Sequence, residues 1–118
     1  MATINLTKGG FLRKIADYEN NPNEWKFLGD KPAVIDFYAP WCGPCKVLLP
    51  VLGELSEEYA GKVDIYKVNI DQEMELADLF NIQSVPTMFF IPLQGLPTKV
   101  MGAKPKEELK KRLDNLLK

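Results

Sequence analysis

Residues 33–39, Ala-Val-Ile-Asp-Phe-Tyr-Ala, are apolar at every position except Asp36. A strand with one wet face alternates polar and apolar residues, whereas an unbroken apolar run suits a strand covered on both faces. Pro40 ends this run, and residues 43–59 follow with Leu48, Leu49, Leu52 and Leu55 at helical spacing. A doubly buried strand feeding an amphipathic helix confines the chain to a layered α/β architecture.

The remaining segments fit that frame. Residues 2–7 alternate weakly, as a short strand would. Gly9-Gly10 is expected to break the chain before a helix carrying Phe11, Leu12, Ile15 and Ala16, which Asn20-Asn21-Pro22 stops. Asn23 is placed to cap a short turn bearing Trp25 and Phe27. Pro50 lies inside the helix over 43–59, where it removes a backbone hydrogen bond and should kink the axis. Residues 63–71 are rich in β-branched and aromatic side chains and predict a second strong strand. Leu76, Ala77, Leu79 and Phe80 belong to a short helix ending near Asn81. Residues 87–91 form a third core strand, 92–97 a turn and 98–101 a last strand. A final helix from about Pro105 carries Leu109, Leu113, Leu116 and Leu117 on one face. Its lysines, like those from Lys104 onward, read as a solvated face.

The order β-α-β-α-β-α-β-β-α predicts a central mixed sheet of about five strands flanked by about four helices, with early crossovers parallel and a closing hairpin. At 118 residues the chain is expected to be a single domain over 1–118, residues 1–32 forming an N-terminal strand–helix extension. Its formal net charge is −1, with no block of either sign, which argues against nucleic acid or a membrane as partner. The N-terminal residues show no signal-peptide pattern, and no stretch approaches the roughly 20 apolar residues that span a bilayer. A cytoplasmic location is therefore expected.

Both cysteines lie in Trp41-Cys42-Gly43-Pro44-Cys45-Lys46, where the central strand hands over to its helix. In open α/β sheets that carboxyl edge is where sites form. Two cysteines so spaced have three fates: a lasting bridge, half of a metal site, or a redox couple. The chain has no histidine, so a four-ligand metal site would need two chains, and cysteine–histidine catalysis is excluded. A reducing compartment disfavours the permanent bridge. Cys42, at the helix start, meets unpaired N–H groups and the positive end of the helix dipole, which lower a thiol pKa from about 8.5 towards neutrality. Pro44 suits the first turn, where its missing N–H costs nothing. Cys45, one turn inward, should be the more buried and stay protonated longer.

The run from Val34 through Trp41-Cys42-Gly43-Pro44-Cys45-Lys46 resembles the active-site segment of the thioredoxin family. Lys67-Val68-Asn69-Ile70-Asp71, Val85-Pro86-Thr87 and Gly102-Ala103 match further signatures in order, so the resemblance covers about residues 33 to 118. It implies the thioredoxin fold, with the site at the N-terminus of the second helix. The implied activity is protein-disulfide reduction: Cys42 attacks a client disulfide, Cys45 resolves the mixed disulfide, and the Cys42–Cys45 disulfide is recycled by an NADPH-dependent thioredoxin reductase. No cofactor or metal is implied. The implied partners are that reductase and disulfide-bearing clients, such as reductases and peroxidases needing dithiol recharge, met by a monomer.

By the same resemblance Asp36, a carboxylate whose pKa burial should raise, exchanges a proton with Cys45 through water, and Lys67 is its charge partner. Pro86 is implied to be cis beside the disulfide, leaving neighbouring backbone free to pair with an extended client. Trp41, Gly43, Pro44, Ile70, Val85, Pro86, Gly102 and Ala103 would make a flat apolar docking patch, glycine at 43 and 102 allowing close backbone approach. Gly-Pro between the cysteines, with no histidine, implies a reducing couple. Tyr38, Pro40, Ser84 and the apolar loop 92–97 depart from the common family pattern. A pathway-specific reductase and a binding subunit without turnover are the competing readings.

Overall fold

The chain's apolar runs become the middle of a five-stranded sheet with strand order β1-β3-β2-β4-β5. The computed structural model describes residues 3–118. Its elements are β1 (Ile4–Asn5), α1 (Lys8–Lys14), β2 (Ala33–Tyr38), α2 (Gly43–Glu58), β3 (Asp64–Asn69), α3 (Met74–Leu79), β4 (Thr87–Ile91), β5 (Thr98–Met101) and α4 (Lys106–Leu116). β1 and β2 both pair with β3 in parallel, through helical crossovers. β4 runs antiparallel to β2, opposite Asp36 at Met88, and closes a hairpin with β5. The predicted element order therefore holds.

Side chains alternate across β2, and the two faces have separate cores. Ile35 and Phe37 pack with Tyr66, Val68 and Phe89 beneath Phe11, Ile15 and Leu76 of the α1 and α3 side. Val34 packs with Ile65, Met88 and Phe90 beneath Leu48, Leu52 and Leu55 of α2 and Leu109 and Leu113 of α4. Asp36 shares Val34's parity, so it projects to the α2 side of the sheet.

The N-terminal expectations need correction. The strand covers Ile4–Asn5 rather than 2–7, and position 2 lies outside the described residues. Gly9-Gly10 does not break the chain but lies inside α1, which begins at Lys8. Thr7 caps it by accepting the Gly10 N–H at 3.2 Å, and Glu73 accepts the Lys8 N–H at 2.8 Å. Gly10 is buried close to Leu6, where a Cβ would stand 3.3 Å from the leucine methyl. The glycine pair thus serves close packing, and a strong cap offsets its poor helix propensity. α1 also ends at Lys14, well before Asn20, whereas the chain does turn at Pro22 and Asn23. Elsewhere the boundaries move by one or two residues: β3 is Asp64–Asn69, and α2 stops at Glu58. α2 continues through Pro50, which is exposed, as is Lys46 one turn before it.

Candidate active site

β2 carries Asp36 to the carboxyl edge of the sheet and delivers the chain, through Ala39 and Pro40, to the start of α2. Because β4 reverses direction, its beginning lies at this same edge, as does the end of β5. Four connections distant in sequence therefore converge: residues 39–42, 70–73, 84–86 and 102–105.

Cys42 and Cys45 are joined in a disulfide. Cys42 is also the N-cap of α2, its sulfur accepting the Cys45 backbone N–H at 3.2 Å. Sulfur here occupies the place a cap oxygen normally takes. Released as a thiolate, it would have an N–H already aimed at it and the positive end of the helix dipole behind it. Pro44 sits in the first turn of α2. Cys42 is 5% exposed and Cys45 0%, so both are buried and Cys42 is the nearer of the two to the surface. Ala39 and the cysteines form a small apolar cluster with Tyr38, Ile70 and Val85 packed against it.

The Val85–Pro86 bond is cis. The Val85 carbonyl oxygen lies 3.7 Å from the Cys42 sulfur. The Pro86 carbonyl accepts the Gly102 N–H at 2.8 Å, tying the end of β5 to the same rim. Gly102 has φ +85°, a left-handed conformation that side chains disfavour, so backbone shape favours glycine here.

Asp36 is completely buried, and neither carboxylate oxygen has a hydrogen-bond partner. Burial pushes its pKa up from 3.8 to about 7, against the opposing pull of the Lys67 ammonium. Lys67 sits opposite Asp36 in the β2–β3 register but makes no hydrogen bond or ion pair with it. Its influence is long-range attraction, weaker than the desolvation it opposes. A carboxyl that ionises near neutrality on the α2 side of the sheet is equipped to take up and release a proton there.

Trp41 is 68% exposed, which removes core packing as its role. Gly43, Pro44 and Ala103 are exposed, Ile70, Val85 and Gly102 half-buried, and Pro86 buried. Trp41, Ile70 and Val85 line a groove of about 310 Å³ with Ile82, Gln83 and Ser84. Ile82 and Gln83 were not legible as site residues. They reach the groove through the turn at Asn81, a non-glycine residue at φ 52°, and only that turn geometry signals their placement.

A redox-capable cysteine pair capping a helix at the carboxyl edge of a mixed α/β sheet defines a thiol–disulfide oxidoreductase. The thioredoxin family model matches residues 5–115, and the chain belongs to the thioredoxin family. It is 48% identical over 99 residues to a thioredoxin of Borreliella burgdorferi, covering 84% of each chain. A thioredoxin of Alicyclobacillus acidocaldarius is 38% identical over 117 residues, 98% of this chain and 99% of that one. A chloroplastic M-type thioredoxin of Spinacia oleracea is 39% identical over 100 residues, 82% of this chain and 55% of that protein. The crystal structure of chloroplastic thioredoxin z superposes with a TM-score of 0.78 at 22% identity, covering 98% of this chain and 95% of that one, a likeness of fold. The fold is thus the thioredoxin fold, and the family activity is dithiol–disulfide exchange with the cysteine pair as the redox group, needing no cofactor. Thioredoxins generally work with thioredoxin reductase and disulfide-bearing clients. Among the described residues, no cluster of three or more His, Cys, Asp or Glu could hold a metal ion, and no helix is long and apolar enough to cross a membrane.

Proposed function

We propose that this chain is a general protein-disulfide reductase of the cytoplasm, acting as a single domain and recharged by an NADPH-dependent thioredoxin reductase. The observation that carries the proposal is the unequal setting of the two sulfurs, Cys42 nearer the surface on the helix cap and Cys45 enclosed behind it. In the reduced protein the Cys42 thiolate attacks one sulfur of a client disulfide; the mixed disulfide forms and the other client sulfur leaves as a thiolate. Cys45 then loses its proton and attacks the Cys42 sulfur. That step remakes the Cys42–Cys45 bond and releases the client's second thiolate, so two electrons pass to the client. The reductase returns two electrons to the pair from NADPH.

Asp36 is the proton acceptor for Cys45 in this scheme, supported by its burial, its lack of partners and its pKa near 7. Lys67 tunes that pKa from the neighbouring strand. Trp41, Gly43, Pro44, Ile70, Val85, Pro86, Gly102 and Ala103 receive the client. Clients needing repeated dithiol recharge, such as reductases and peroxidases, fit this cycle.

The test is insulin-disulfide reduction driven first by dithiothreitol and then by NADPH with a thioredoxin reductase. Cys42→Ser should abolish turnover. Cys45→Ser should also stop it while accumulating a client joined to Cys42. Full turnover by either variant would refute the scheme, and activity with dithiothreitol alone would refute the proposed electron donor.

A further inference from the structure

The connections at the carboxyl edge lie in the order of their strands, 70–73 after β3, 39–42 after β2, 84–86 before β4 and 102–105 after β5. The middle of this row is apolar, with Trp41, Ile70 and Val85 around the disulfide. Its two flanks carry opposite charges. Asp71 is exposed just past β3, and Lys104 stands in the connection from β5 to α4. Neither has an ion pair among the described residues, whereas Lys106 and Lys110 on α4 pair with Glu54 and Glu58 of α2.

Lys104 is not simply the first lysine of a solvated helix face. Pro105 follows it, which holds Lys104 to extended backbone and outside α4. Its side chain turns back over the rim instead: the ammonium nitrogen lies 4.0 Å from the point a Cβ on Gly102 would occupy. Gly102 is bonded to Pro86, and the Val85 carbonyl touches the Cys42 sulfur. The ammonium thus rests on the last link of a continuous path from the reacting sulfur. Nothing in the apolar centre competes for it, so a docking chain meets an unneutralised cation at the β5 flank and an unneutralised carboxylate at the other.

We infer that Lys104 is a specificity-determining residue, selecting clients with Asp or Glu a few residues from the attacked cysteine on the flank that crosses β5. Asp71 at the far flank opposes the same client bound in reverse, so the pair orients the segment as well as selecting it. The inference rests on the reductase reading above.

Single-cysteine peptides, activated as mixed disulfides with thionitrobenzoate, test it through release of the coloured thiolate. The peptides carry Glu, Gln or Lys two residues from the cysteine, on each flank in turn, and each protein's rate on the Gln peptide is its own reference. On one flank, wild type should favour Glu over Lys by about two- to fivefold in kcat/KM, the size of a solvent-exposed ion pair, with the difference in KM. Lys104→Gln should erase the preference and Lys104→Glu reverse it. The effect should shrink between about 10 mM and 1 M salt, as the screening length falls from about 30 Å to about 3 Å. Equal wild-type rates on Glu and Lys peptides, or a preference that survives Lys104→Glu, would overturn the selection while leaving disulfide exchange intact. A wild type that reduces none of the peptides would overturn the reductase reading and this inference with it.

Discussion

Asparagine in place of Asp36 keeps the shape of a completely buried side chain and removes its titrating proton. In the unfolded chain the carboxyl ionises near 3.8, but in the folded protein burial delays this to about 7. Between those values the native state holds a proton that the unfolded state has lost. Stability is therefore complete below pH 3.8 and falls as pH rises, by about 1.4 kcal/mol per pH unit, until the folded carboxyl also ionises near 7. The accumulated loss is about 4 kcal/mol, a large part of a small domain's stability. Asp36→Asn has no such dependence. The two proteins should be nearly equal at about pH 4, and the variant more stable by up to about 4 kcal/mol at pH 8. Urea unfolding of the oxidised forms across that range measures the gap. A gap that stays constant with pH would mean that Asp36 ionises normally in the fold, and the argument from desolvation would be wrong. Exchange activity should move the opposite way. In the proposed scheme the variant lacks the proton acceptor, and its turnover near neutrality should drop by about 100-fold, the lower range for a positioned general base. The limb near pH 7 should vanish from its rate profile. Stability is sacrificed here for a carboxyl held where water would not leave it.

Two further substitutions test the frame around the site. Leu55→Ala empties a fully buried position between α2 and the sheet and should cost about 2–5 kcal/mol in denaturant unfolding; a loss below about 1 kcal/mol would contradict the packing described. Gly102→Ala puts a side chain at φ +85° and should cost about 1–2 kcal/mol from backbone strain alone, since its Cβ meets no atom closer than 4.0 Å. The same methyl narrows the rim and should raise KM for protein clients; an unchanged KM would remove Gly102 from the docking surface.

The central strands were legible because β2, β3 and β4 are apolar runs that admit one environment, and the site sits where the first of them ends. The cysteine pair was legible for the same reason, its position on the helix cap following from Pro40 and the leucine spacing of α2. The start of α1 is not legible, because local propensity sees two glycines. It does not see the Thr7 cap, the Glu73 carboxylate arriving from beyond β3, or the Leu6 side chain that needs the space. Ile82, Gln83 and Lys104 were hidden on similar grounds. Each joins the site through the meeting of loops remote in sequence, and periodicity carries no record of such meetings. Lys104 in particular looks from its neighbours like part of a wet lysine face.

The reversal of β4 divides the molecule into two ends. Every connection that builds the site lies at one of them, and the loop 92–97 lies at the other, between the end of β4 and the start of β5. Leu93, Gln94, Gly95 and Leu96 are exposed there and contribute nothing to the chemistry. The protein can therefore be held by that end, fused to a carrier or attached to a solid support at Gln94, with its cysteine pair presented outward like the tip of a probe.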